Sequence, residues 1–192
     1  MMHACYAPPC MLRTLLAAAL LIALPACSPR APDGEAAEAE GSIEGVDRSH
    51  KGKAAPVSAF QDADGRDVTL ATFTGQPVLV NLWATWCAPC VKELPTLDRA
   101  ASAAPPNGLQ VVAISQDSGP RPSVVAFLKS NGIATLKPYH DPAMAISGAL
   151  GAQVLPTSIL YDAQGRELWR YVGDLDWTGA EAARLLAEAE AR

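Results

Sequence analysis

The sequence predicts an α/β layer fold, on three observations. From Ala54 onward, strand-like and helix-like segments alternate without internal repeat. Residues 78–83 (VLVNLW) form an apolar run of strand length, the mark of a strand buried on both faces. The second half of the chain then changes to a hairpin pattern followed by an amphipathic helix.

Each element has its own signal. Residues 57–60 and 66–70 flank Asp62-Ala63-Asp64-Gly65, a turn sequence between two short strands. After the strand at 78–83, residues 90–104 read as a helix ended by Pro105-Pro106-Asn107-Gly108. Residues 109–114 (LQVVAI) are a second buried strand, and residues 122–130 a helix closed by Asn131-Gly132. Residues 143–150 suggest a short helix. Residues 158–161 and 167–172 are strands about the turn Asp162-Ala163-Gln164-Gly165. Thr178-Gly179-Ala180-Glu181 has capping-box spacing and opens a final helix through Ala191.

Composition narrows the function. The chain has 192 residues, 49% hydrophobic and 18% charged, which suits one domain with appendages and excludes wholesale disorder. A net charge of -5 without a Lys/Arg cluster excludes binding along a phosphate backbone, so no nucleic acid partner is expected. The cysteines at 5, 10, 27, 87 and 90 are odd in number and unevenly clumped, unlike a disulfide framework.

Residues 15–24 (LLAAALLIAL) are unbroken apolar, preceded by Arg13 and followed by Pro25 and Ala26. The run is shorter than the roughly 20 residues that span a bilayer, and residues 1–26 read as a secretory signal peptide. Leu24-Pro25-Ala26-Cys27 resembles the lipobox of bacterial lipoproteins, which implies cleavage before Cys27 and its lipidation. Met11-Leu12-Arg13 begins a basic n-region that the first ten residues lack, so translation is expected to start at Met11. A precursor retaining Met1 would overturn that start. Residues 27–53 read as a flexible acidic linker, and the folded domain as residues 54–192.

The chemistry centres on Trp86-Cys87-Ala88-Pro89-Cys90, between a buried strand and a helix. A C-x-x-C at a strand-to-helix junction is a redox signature. Cys87 falls at the helix N-terminus and Cys90 one turn inside, where the sulfurs can approach bonding distance. Pro89 fits the first turn, where a missing N–H costs nothing. A helix terminus supplies about 0.3 to 1 kcal/mol and one pKa unit costs about 1.4, so the dipole alone lowers a thiol by less than a unit. Hydrogen bonds to the thiolate must add to it; Cys87 is then expected to have a depressed pKa and to alkylate before Cys90. Half of a zinc site, a static structural disulfide and an inert binding shell are the other readings of these two cysteines.

The run Val80-Asn81-Leu82-Trp83-Ala84-Thr85-Trp86-Cys87-Ala88-Pro89-Cys90, followed by Glu93-Leu94-Pro95, resembles the thioredoxin-like proteins of the TlpA, ResA and CcmG group. These are membrane-tethered thiol-disulfide oxidoreductases of the bacterial envelope. The likeness runs from about Pro56 to Gly173 and includes Gly75-Gln76-Pro77 and Gly151-Ala152-Gln153-Val154-Leu155-Pro156-Thr157. It implies a thioredoxin-like fold, a central mixed sheet flanked by helices, with an N-terminal β-hairpin extension. It also implies a cis bond at Pro156, with Leu155 pairing its backbone to an extended substrate; a trans proline before an edge strand is the alternative. Asn81 stands where other thioredoxins place a buried acid, and the resemblance makes Glu93 the proton acceptor for Cys90. An exposed carboxylate that favours the first helical turns is the alternative. Pro95 is expected to kink the helix. Trp83, Trp169, Tyr171 and Trp177 read as packing residues, Trp86 as part of the docking surface with Ala88 and Pro89, and His140 as a loop histidine.

The expected function is a lipid-anchored, periplasm-facing disulfide reductase with Cys87 as nucleophile. Its partners would be disulfide-containing envelope proteins and a membrane thiol donor of the DsbD or CcdA type, with cytochrome c maturation as one setting. The dithiol carries two electrons, so no cofactor or metal is expected. A peroxiredoxin-like thiol peroxidase and a copper-delivery protein using both cysteines and His140 are the alternatives.

Overall fold

The computed structural model describes residues 45–105 and 108–189. The signal-like segment, Cys27 and the linker up to residue 44 lie outside the described residues. In chain order the strands are β1 (Val46–Asp47), β2 (Phe60–Gln61), β3 (Asp67–Val68), β4 (Val78–Trp83), β5 (Gln110–Ser115), β6 (Tyr139–His140), β7 (Thr157–Tyr161) and β8 (Glu167–Val172). The helices are α1 (Ala88–Ala103), α2 (Arg121–Ser130), α3 (Ala145–Leu150) and α4 (Ala180–Ala187), with a 3-10 turn at Leu70–Phe73. Among the described residues no helix is long and apolar enough to cross a membrane.

The strands form one mixed sheet in the order β1-β8-β7-β4-β5-β6-β2-β3. β4 lies at its centre, parallel to β5 and antiparallel to β7, with all six residues buried. Alternation of side chains along a strand sorts them onto two faces. Leu79 and Trp83 join the apolar cluster shared with α1, α2 and α4, whereas Val78, Val80 and Leu82 join the one shared with α3 and the 3-10 turn. Each fully buried Leu or Val contributes roughly 1.5 to 3 kcal/mol, so a strand without a wet face is secured from both sides. This is the thioredoxin-like architecture of a mixed sheet flanked by helices.

Two turns are built alike. Asp62 accepts from the backbone N–H of Asp64 and Arg66, and Asp162 from those of Gln164 and Arg166. Gly65 and Gly165 sit at φ +82 and +71, where a side chain would strain the backbone. The first turn joins the antiparallel pair β2 and β3, which extends the sheet through β6. Both strands are shorter than their sequence runs: Val57 is 85% exposed, and Leu70 enters the 3-10 turn.

Several expectations are corrected. The inner end of the stretch assigned to the linker is paired with the sheet: β1 pairs with β8, Gly52 and Lys53 bond Glu167, and Ala54 bridges Arg166. These contacts use backbone groups, which composition does not register. α1 starts at Ala88, two residues before its expected start, because Cys87 itself is the N-cap. α4 ends at Ala187, short of Ala191, and its N-cap is Gly179; the Thr178 hydroxyl donates to Asp176, so the capping box does not form. His140 is a buried strand residue, held because β6 runs parallel to β5.

Candidate active site

β4 ends at Trp83, whose carbonyl accepts from the Gln116 N–H at 2.8 Å. The chain then turns, with the Cys87 N–H donating to the Ala84 carbonyl at 3.1 Å. Asp117 holds this turn from the end of β5. Its carboxylate accepts from the Thr85 N–H at 3.0 Å, the Thr85 hydroxyl at 2.6 Å and the Ser115 hydroxyl at 2.7 Å. His140 reaches the Asp117 carbonyl through Nε2 at 2.7 Å. Among the described residues no three His, Cys, Asp or Glu side chains group as metal ligands.

Cys87 and Cys90 are joined in a disulfide, with their Cα atoms 5.3 Å apart. The Cys90 N–H points at the Cys87 sulfur at 3.3 Å, a first-turn donor of the kind that stabilises a thiolate. Cys87 is 6% exposed and Cys90 fully buried, so the outer sulfur is Cys87. Ala88 and Pro89 are exposed beside it, and the Trp86 ring is 69% exposed. The Leu155–Pro156 bond is cis. Leu155 is half-buried and packs against both apolar clusters, one of which contains the two cysteines.

Glu93 lies one turn beyond Cys90, buried to 2% exposure, which removes the exposed-carboxylate alternative. One oxygen accepts from Asn81 Nδ2 at 2.8 Å, and the other from the Leu175 N–H at 3.1 Å and Trp177 Nε1 at 3.2 Å. Burial pushes its carboxyl up from 4.5 to about 7, and these three donors oppose that rise. Trp177 is buried, as a packing residue should be, but its indole N–H also serves Glu93. Neither that contact nor the Asp117 clamp has a local sequence signature.

A disulfide whose first cysteine caps a helix that follows the central strand of this mixed sheet defines a thiol-disulfide oxidoreductase of thioredoxin-like class. The Redoxin family model matches residues 50–186, and the chain belongs to that family. The thiol-disulfide oxidoreductase ResA of Bacillus anthracis is 30% identical over 123 residues, covering 64% of this chain and 70% of that protein. ResA of Bacillus subtilis is 28% identical, covering 64% and 67%. The structure of a DsbF homologue from Corynebacterium diphtheriae superposes with a TM-score of 0.60 at 26% identity, over 78% of this chain and 95% of that one.

Proposed function

We propose that the protein is a TlpA-like disulfide reductase of the bacterial envelope, anchored by a lipid on Cys27 and facing the periplasm. The observation that carries the chemistry is the disulfide at the start of α1, with Cys87 outward and a buried carboxylate, Glu93, three residues after Cys90 on the same helix. In the reduced protein the Cys87 thiolate attacks one sulfur of a substrate disulfide. That S–S bond breaks, a Cys87 mixed disulfide forms, and the first substrate sulfur leaves as a thiol after taking a proton. Glu93 then accepts the Cys90 proton. The Cys90 thiolate displaces the second substrate sulfur from Cys87, leaving Cys87–Cys90 oxidised and the substrate reduced by two electrons.

An extended substrate segment lies against Trp86, Ala88 and Pro89 and pairs with the Leu155 backbone ahead of Pro156. The substrates are disulfide-containing envelope proteins, and apocytochrome c is one of that kind. A membrane thiol donor of the DsbD or CcdA type reduces the spent pair. Acid-quench thiol trapping in intact cells tests the direction: a mainly reduced pair supports a reductase, and a mainly oxidised pair overturns it. Glu93→Gln tests the resolving step, which should slow while the first attack stays nearly intact. An unchanged turnover removes Glu93 from the mechanism.

A further inference from the structure

Asn81 sits in the middle of β4 with no exposure, on the sheet face that α1 covers. Its Nδ2 donates to Glu93 Oε1 at 2.8 Å and to Ser158 Oγ at 3.0 Å, from the residue directly opposite on β7. Its Oδ1 is buried without a hydrogen-bond partner. The other groups bonded to Glu93 are N–H donors, from Leu175 and Trp177. That set fits a carboxylate. A protonated Glu93 presents an O–H and needs an acceptor, which neither a backbone N–H nor an indole can supply. Asn81 holds a spare acceptor on the same amide plane.

We propose that Asn81 is a positioning residue whose side-chain amide turns over when Glu93 gains a proton, so that Oδ1 accepts from the Glu93 O–H. The proposal rests on the reading of Glu93 as the proton acceptor for Cys90. Ser158 suits both arrangements, because its hydroxyl accepts from Nδ2 in one and donates to Oδ1 in the other. Each arrangement leaves one amide atom unpartnered, Oδ1 in the first and Nδ2 in the second. The first strands an acceptor and the second an NH2 group, so the second is favoured only when a Glu93 O–H is there for Oδ1 to accept, and the proton on Glu93 decides between the arrangements.

The consequence is a carboxyl served in both charge states. During resolution the Cys90 thiol gives its proton to Glu93, the amide turns, and the Cys90 sulfur displaces substrate from Cys87. When a thiol donor regenerates the dithiol, Glu93 returns the proton to Cys90 and the amide turns back. The other charged group bearing on Glu93 is Asp174, in the segment before Leu175, which is paired at 2.6 Å with the exposed Lys92 of α1. Both are held in that exposed pair, so the buried network answers to Glu93 itself.

The test reads the amide orientation in the unaltered oxidised protein. Magnetisation transfer from the Asn81 Nδ2 protons to the Ser158 β-protons is followed by NMR as Glu93 is titrated through its side-chain carbon shift. The transfer should be strong while Glu93 is ionised and lost when it is protonated. A transfer unchanged through the Glu93 transition overturns the proposal. In Glu93→Gln the orientation should no longer depend on pH, and a transition that persists there assigns it to another group and equally overturns the proposal. In Asn81→Leu, resolution of the mixed disulfide should slow by about tenfold or more, with the first attack of Cys87 within about twofold of normal; an unchanged resolving step counts against it. If Glu93→Gln keeps full turnover while the amide turns with Glu93 in the unaltered protein and not in the variant, the catalytic reading of Glu93 fails and the amide coupling stands.

Discussion

Glu93 imposes a pH dependence of stability opposite in sign to that of an exposed, favourably bonded carboxylate. Its folded-state pKa of about 7 lies above the ordinary 4.5, because burial outweighs the pull of its three donors. Between those values the folded chain holds a proton that the unfolded chain has released, so stability falls as pH rises. The cost is absent well below 4.5 and complete above about 7, where it reaches about 3 kcal/mol. Asp47, Asp62, Asp174 and Asp176 are held below 3.8 by their hydrogen bonds, and the stability they add is lost only as pH falls through that lower range. The assay is urea unfolding of the oxidised protein at about pH 5 and about pH 8, for the natural chain and for Glu93→Gln. The difference between the two proteins cancels histidine titration and every other shared group. The natural chain should lose about 2 to 3 kcal/mol more than the variant across this interval, or several degrees in Tm. Equal losses would mean that Glu93 titrates as an ordinary carboxylate, and the argument from its burial would be refuted.

Three further outcomes follow from the same geometry. In the reduced protein Cys87 should alkylate first, its rate rising through a pKa below the ordinary thiol value of about 8.5; equal rates and ordinary pKa values for both thiols would contradict the helix-terminus argument. Thr85→Val should cost about 1.5 to 3 kcal/mol in denaturant unfolding by removing the hydroxyl bond to the Asp117 carboxylate, while Thr85→Ser stays near the natural value. A neutral Thr85→Val would show that the clamp holds nothing. Trp177→Phe keeps the ring and deletes one donor to Glu93, so the Glu93 transition should move up by roughly one pH unit in a carbon-detected titration; no movement would dissociate the indole from the carboxylate.

Local patterns were legible in the sequence and distant ones were not. The apolar run at β4, the two-cysteine spacing and Pro89 all act within one strand and one helical turn, and β4 and β8 appear with the bounds read from the sequence. Leu155 and Pro156 came through resemblance, since no periodicity reveals a cis bond. By contrast, Trp177 reaches Glu93 from 84 positions away and Asp117 reaches Thr85 from 32, contacts that exist only once the sheet has ordered its strands. Tyr139-His140-Asp141-Pro142 has loop chemistry, yet pairing with β5 and β2 makes Tyr139–His140 a strand. Thr178 and Glu181 have the right spacing for a capping box, but Asp176 takes the hydroxyl first.

The short strand β1 has a consequence for how the chain is handled and for how it survives. Together with Gly52, Lys53 and Ala54 it occupies the outer backbone groups of β8 at Glu167, Arg170 and Tyr171 and of Arg166 just before it. A chain trimmed to begin at Ala54, where composition places the domain start, would bare most of that row. Unpaired strand edges recruit other chains, so the trimmed protein should aggregate while one beginning before Gly45 stays monodisperse. The residues that read as a passive tether are, at their inner end, the cover that keeps this sheet from growing.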